Sequence, residues 1–492
     1  MASTDLICSP EQMNAYNLDV IIVGSGPAGV AVAERLYKRH PTATIGILER
    51  GGVLTLSHIL NILPNKVRRS FMDRFKLKAW EGAFNEGGML IPALGGRGIV
   101  AGAHLRRFDQ DDFKLWPNGA WPDSVIEGFP SYYNDAEVAR RVSVSAIRGR
   151  AQTWALGMLH DLHSYPPPVG VDLWSEGGFA IGRGYDSSVS RLWKLLIRDV
   201  LEHETRRIYV ATNAYVTQIV HNDHLASGVR LLNTLLKPDR DPIFLNSKIV
   251  VLAASTVESA RLFLHSRVSP ENQHAGNYLA EHLECRAKII VSPTTKETQS
   301  QGISIVIPPQ RRDQIDRADR FQIHLRGEPN AQGDLEIDIG GFAAMDPVET
   351  NRVTLSPKTD IYGIRKAHTV IKTSADDDER LERMCRRIRE IAERLEGEFI
   401  TDRYPFEEVE PRYHGADKAI QRMGWGRSYH EAGTLRMGAP QNSVTNEFGQ
   451  VHGVTNLYVA DASLFPCVGV ANPMLTITAL AYRVADHVST QL

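Results

Sequence analysis

The chain has 492 residues, of which 42% are hydrophobic and 23% charged, the make-up of an ordinary globular protein of two or three domains. Lys and Arg number 56 against 58 for Asp and Glu, a formal charge of −2, so there is no basic field for a nucleic-acid backbone and no basic amphipathic segment for a membrane surface. The four cysteines, Cys8, Cys285, Cys385 and Cys467, lie far apart with no metal or dithiol spacing, which argues against a zinc site and fits a reducing compartment.

No signal-peptide pattern is present, and no apolar run reaches the roughly 18 residues of a membrane helix. The expected location is therefore the cytoplasm. Residues 18–36 read LDVIIVGSGPAGVAVAERL. The apolar run 20–23 predicts a central parallel strand buried on both faces. Gly24 permits the tight turn, Gly26 lets the backbone approach a pyrophosphate, and Gly29 lets the following helix pack on the strand. A second strand over 44–48 ends at Glu49, the expected place for an acid that binds a ribose hydroxyl. Together these predict a dinucleotide site without choosing between NAD and FAD. Residues 96–102 contain another glycine pattern, but no clean strand precedes it, so it is not read as a second nucleotide turn.

Pro166, Pro167 and Pro168 predict an exposed stiff loop, and 189–204 a helix with Leu192, Leu195, Leu196 and Val200 on one stripe. Strands are predicted over 208–211, 215–220, 228–232 and 248–254, with a turn at Asn222 and Asp223. Further strands over 287–291, 303–307, 321–325, 335–339 and 352–355 suggest an antiparallel sheet in a second domain. Residues 376–396 carry apolar residues at helical spacing, with Cys385 among them as core filler and Gly397 as the stop. Another strand is predicted over 457–460. Asn472 before Pro473 reads as an ordinary helix start, and His430, one of 17 histidines, reads from its own neighbours either as a loop-bonded imidazole or as a base.

The segments around these last residues carry a resemblance. SYHEAGTLRMG (428–438), VANPMLT (470–476), VVLAASTVESARLFL (250–264), NRVTLS (351–356) and Trp121-Pro122 with Tyr132-Tyr133 and Ala136-Glu137 are similar to the glucose–methanol–choline (GMC) oxidoreductase family. The pyranose oxidase and glycoside 3-oxidase branch is nearest. The resemblance runs almost end to end and is loosest in the middle, where substrate would be recognised.

It implies an α/β protein. A Rossmann-like FAD-binding domain (15–115, 200–282 and 436–492) would carry an inserted antiparallel-sheet substrate domain (116–199 and 283–435). It further implies that His430 takes the proton of a substrate hydroxyl while the carbinol hydride passes to flavin N5, and that Asn472 holds the same hydroxyl. Cofactor contacts are implied for Gly24, Gly26, Gly29, Glu49, Gly95, Gly96, Arg97, Val216, Asp461, Pro473 and Met474. Asp461 also reads as a plain strand-end acid, and Arg97 faces either the flavin or the substrate. Relatives that attach FAD covalently do so through a His shortly after the segment matching 95–98. Here the first is His104, out of register, so non-covalent FAD is expected. The implied reaction is oxidation of a secondary ring hydroxyl of a sugar, glycoside or glycosylated natural product to a ketone, with O2 or another acceptor reoxidising the flavin. The alternatives are a redox-silent lyase of the same family and an oxidase of a non-sugar alcohol.

Overall fold

The computed structural model describes residues 6–492 apart from 63–70, 72, 86, 103, 117–118, 145–146, 148, 174–182, 223, 237–240, 293–301, 311–315 and 402–418. The opening apolar run is the strand Leu18–Val23, and Val20, Ile21 and Ile22 are wholly buried because the sheet is covered on both faces. It pairs in parallel with Ile45–Leu48 on one side and with the second half of Ile243–Leu252 on the other. Ile208–Ala211 extends the sheet beyond Ile45–Leu48, and Leu457–Val459 pairs with Ile243–Leu252, again in parallel. The first half of Ile243–Leu252 pairs antiparallel with Ala226–Asn233, which pairs with Ala214–His221, completing one seven-stranded sheet.

The two ends of the chain meet in this unit. Helix Pro27–Arg39 packs on the C-terminal helix Met474–Ser489, and Arg35 joins Asp135 and Asp486 at 2.7 Å each. Its centre depends on one close approach. A Cβ on Gly29 would lie 2.0 Å from the carbonyl oxygen of Gly24, itself at φ +105°, so only glycine lets the helix sit this near the strand. Gly29→Ala must therefore open the turn, and if the flavin implied by the resemblance is bound, the purified variant is expected to lack the visible absorbance expected of the wild-type protein.

The second sheet is antiparallel in the order Ile303–Ile307, Phe321–Pro329, Leu335–Ala343, Leu283–Val291, with Glu398–Phe399 and Ile420–Arg422 both on the outer edge of Leu283–Val291. Helix Ala375–Arg394 covers it with Leu381, Met384, Ile388 and Ile391 buried. The helix stop differs from expectation. Glu396, not Gly397, takes the left-handed conformation (φ 52°), whereas Gly397 is needed for space, since its Cβ would meet Ile289 Cδ1 at 2.6 Å. The proline triplet is also not a free loop, because Pro167 is buried and Pro168 opens strand Pro168–Leu173. Of the predicted turn between Ala214–His221 and Ala226–Asn233, Asn222 accepts the amides of His224 and Leu225, while Asp223 lies outside the described residues. Among the described residues no helix is long and apolar enough to cross a membrane.

Candidate active site

The turn after Leu18–Val23 has the features a dinucleotide requires. Gly26 precedes helix Pro27–Arg39 with no side chain capping its first amides, and a Cβ on Gly26 would meet no atom within 4 Å, so the helix N-terminus is open to an anion. The second glycine pair comes alongside. Gly95 N donates to Ser25 Oγ at 3.0 Å, and a Cβ on Gly96 would lie 3.4 Å from Gly26 Cα. Glu49 is buried at the end of its strand and accepts Ser25 Oγ (2.5 Å) and Gly51 N (2.9 Å). Burial pushes its carboxyl up to about 7. Oε2 also accepts Ser25 N at 3.4 Å, so the remaining acceptor capacity lies on Oε1, which fits a ribose hydroxyl. Val216 is buried in Ala214–His221, and the amide of nearby Ala214 donates to Glu49 O at 2.8 Å. These residues fit the adenosine and pyrophosphate of FAD.

The C-terminal pair converges. His430 Nε2 lies 3.3 Å from Asn472 Nδ2, and Asn472 Oδ1 accepts Gln322 Nε2 at 3.2 Å. Asn472 is thus not a helix cap. The helix begins at Met474 with Pro473 already in right-handed helical conformation and no side-chain cap, so its first amides point past Asn472 unpaired by any side chain. On its other side His430 Nδ1 lies 2.8 Å from His282 Nδ1, and His282 Nε2 lies 2.6 Å from Gly469 O. Phe342 closes the group, with its ring 5.8 Å from His430 and 5.2 Å from His324. His104, set aside by register, stacks on His324 at 4.6 Å. Burial, then the neighbouring His282 and Arg97, hold His430 well below the usual histidine range. It is therefore neutral at neutral pH. Gln322 Oε1 is buried with no hydrogen-bond partner among the described residues.

Arg97 bridges three segments. Its guanidinium pairs with Glu431 at 2.7 Å, donates to Ser255 Oγ at 2.7 Å and to Tyr429 O at 3.3 Å. Asp461 grips the same Ser255. Its Oδ2 accepts Ser255 N (2.9 Å) and Ser259 Oγ (2.6 Å), and its Oδ1 accepts Ser463 N and Ser463 Oγ. The side chain of Asp461 is thus committed to protein donors. The Glu431 side chain is fully buried, so Arg97→Met strands a carboxylate and is expected to destabilise by about 3 kcal/mol, read as a lowered urea midpoint.

Sequence reasoning missed His282, Gln322, His324 and Phe342. All lie in or just before strands of the second sheet, and no local spacing links them to residues 428–476. Glu281 was missed as well. It accepts Gly426 N, Ser428 N and Ser428 Oγ and so fixes the loop that presents His430, with its own carboxyl raised by burial and by the charge of Glu431.

The GMC oxidoreductase family model matches residues 347–481, the span that carries His430 and Asn472. Paromamine 6'-oxidase of Streptomyces fradiae is 33% identical over 96% of this chain and 92% of its own. The chain belongs to the GMC oxidoreductase family. The C-glycoside 3-oxidase of Microbacterium trichothecenolyticum is 24% identical over 96% of this chain and 97% of its own. Among solved structures, pyridoxine 4-oxidase from Mesorbium loti superposes with a TM-score of 0.67 at 15% identity, covering 96% of this chain and 99% of that one. The fold is accordingly the α/β two-domain GMC architecture, and the family is flavin-dependent.

Proposed function

We propose that this GMC oxidoreductase oxidises a ring hydroxyl of a sugar, glycoside or glycosylated natural product to a ketone, with His430 as the base. The observation that carries the reading is the neutral His430 imidazole held between Asn472 and His282. FAD, held without a covalent bond, supplies a two-electron acceptor for the hydride that leaves the carbinol carbon. His430 Nε2 takes the hydroxyl proton, and Asn472 Nδ2, beside it, holds the substrate oxygen. Gln322 Oε1, the unpartnered acceptor next to Asn472, suits a second hydroxyl of the same ring.

For the cofactor, the glycines Gly24, Gly26, Gly29, Gly95 and Gly96 with Glu49 and Val216 would hold the adenosine diphosphate end. The helix start at Pro473 and Met474 would place its positive end near the ring system. Arg97 and Asp461, proposed as cofactor contacts, both hold Ser255. The proposed division of the chain is the one stated above, with 15–115, 200–282 and 436–492 binding FAD and the inserted segments binding substrate. O2 or another acceptor would reoxidise the flavin, and the proposed compartment is the cytoplasm.

The sugar class rests on the full-length relatives, whose names place their chemistry on a C-glycoside and on paromamine. Incubation with C-glycosides, O-glycosides and amino sugars under air tests it by mass spectrometry. A product lighter by two hydrogens supports the reading. Turnover that leaves the total hydrogen count unchanged would select a lyase, and turnover of non-sugar alcohols alone would remove the sugar class.

A further inference from the structure

His282 is buried just ahead of the strand Leu283–Val291, between His430 and the carbonyl of Gly469. We propose that His282 is a positioning residue that sets the tautomer of His430, leaving the bare nitrogen of that imidazole on the side of Asn472. This rests on the reading of His430 as the base.

The argument is a count of donors and acceptors. The carbonyl oxygen of Gly469 can only accept, so the hydrogen bond at 2.6 Å requires the proton of His282 to be on Nε2. A neutral His282 then presents a lone pair at Nδ1. The only way to satisfy the 2.8 Å contact with His430 Nδ1 is for that nitrogen to carry the proton of His430. His430 Nε2 is consequently unprotonated. The far side agrees independently. Gln322 Nε2 donates to Asn472 Oδ1, which leaves the Nδ2 donors of Asn472 facing His430 Nε2, and a donor there requires a lone pair. Every hydrogen bond from Gln322 through Asn472, His430 and His282 to Gly469 therefore runs in one direction. Both rings are neutral, because burial holds each below the usual histidine range. A base needs its lone pair aimed at the reacting hydroxyl. Without His282, Nδ1 of His430 would lose its acceptor, and the imidazole would be free to place its proton on Nε2.

Long-range proton–nitrogen correlation spectra of the flavin-loaded protein labelled with 15N-histidine read the tautomer directly, with His430 assigned by the signal lost in His430→Ala. The expected result is a protonated Nδ1 and a bare Nε2 in His430. A protonated Nε2 in the wild-type protein overturns the proposal. His282→Leu is expected to slow flavin reduction by about 10²-fold, as for a mis-set base tautomer, while retaining flavin. His282→Asn, whose amide oxygen can accept in place of Nδ1, should recover most of that loss. A purely structural role would give equal losses in both variants, and reduction by His282→Leu at the wild-type rate also overturns the proposal. Should His430→Ala itself reduce flavin at full rate, the base reading fails, and the nitrogen spectra still decide the tautomer.

Discussion

In His430→Ala, flavin reduction by a substrate alcohol is expected to slow by about 10²–10⁴-fold, the range for a lost general base, with the flavin still bound. The two halves of that expectation come from different parts of the molecule. The residues that fit the adenosine and pyrophosphate lie in the parallel-sheet unit, around Gly26, Glu49 and Gly96, and none of them touches His430. The His430 ring instead contacts Asn472, His282 and Phe342, so its loss removes the neutral acceptor of the hydroxyl proton and leaves the nucleotide cradle intact. Rapid-mixing absorbance under nitrogen measures the rate, and the visible spectrum of the purified variant measures flavin content. A variant that reduces as fast as wild type would remove His430 from the chemistry.

Acid is expected to destabilise the protein steeply. Unfolded histidine titrates near 6.5, whereas burial holds His282 near 4. Between those values the unfolded chain binds a proton that the native state does not, so stability rises with pH across this window and is lost as pH falls through it. For His282 alone the difference amounts to about 3 kcal/mol. His104 is likewise held near 4, chiefly by burial, and His324 and His430 are shifted the same way. Glu49 works in the opposite sense. Its pKa is raised from 4.5 to about 7, so its contribution is present below 4.5 and lost as pH rises through 7, and Glu281 shares that direction. Asp377 and Asp461 are raised too, and His265, His452 and His487 lowered, all chiefly by burial. Seven histidines against four carboxyls leave a net loss on the acid side, so the urea midpoint should fall from pH 6.5 to about pH 5. A midpoint that holds or rises would show that these histidines are not buried neutral.

The nucleotide turn was legible because its requirements are local: a strand, three glycines, a helix and an acid within some thirty residues. The C-terminal block was legible only as a resemblance, since nothing about His430 or Asn472 taken singly distinguishes a base from a loop contact or a cap. The partners that bear on those alternatives, His282 and Gln322, are distant in sequence. Their strands announce an apolar face, not what the polar positions between do. The predicted strand over 321–325 runs on to Pro329, because Arg326, Gly327, Glu328 and Pro329 carry no apolar signal of their own yet pair with the hairpin partner Leu335–Ala343. Helix Asp123–Ala139 was not predicted at all. Pro130 sits inside it, and a proline in mid-pattern reads as a break. The carboxylate partner of Arg97, Glu431, lies far along the chain, so local spacing could not announce their ion pair.

The central claim is hydride transfer from a ring carbinol with His430 taking the proton, and the visible spectrum of the wild-type protein, mixed under nitrogen with C-glycosides, O-glycosides and amino sugars, tests it most directly. The account predicts that at least one of these bleaches the oxidised-flavin band in a single turnover, and that His430→Ala bleaches far more slowly with the same compound. Consumption of a glycoside with the band unchanged would contradict it.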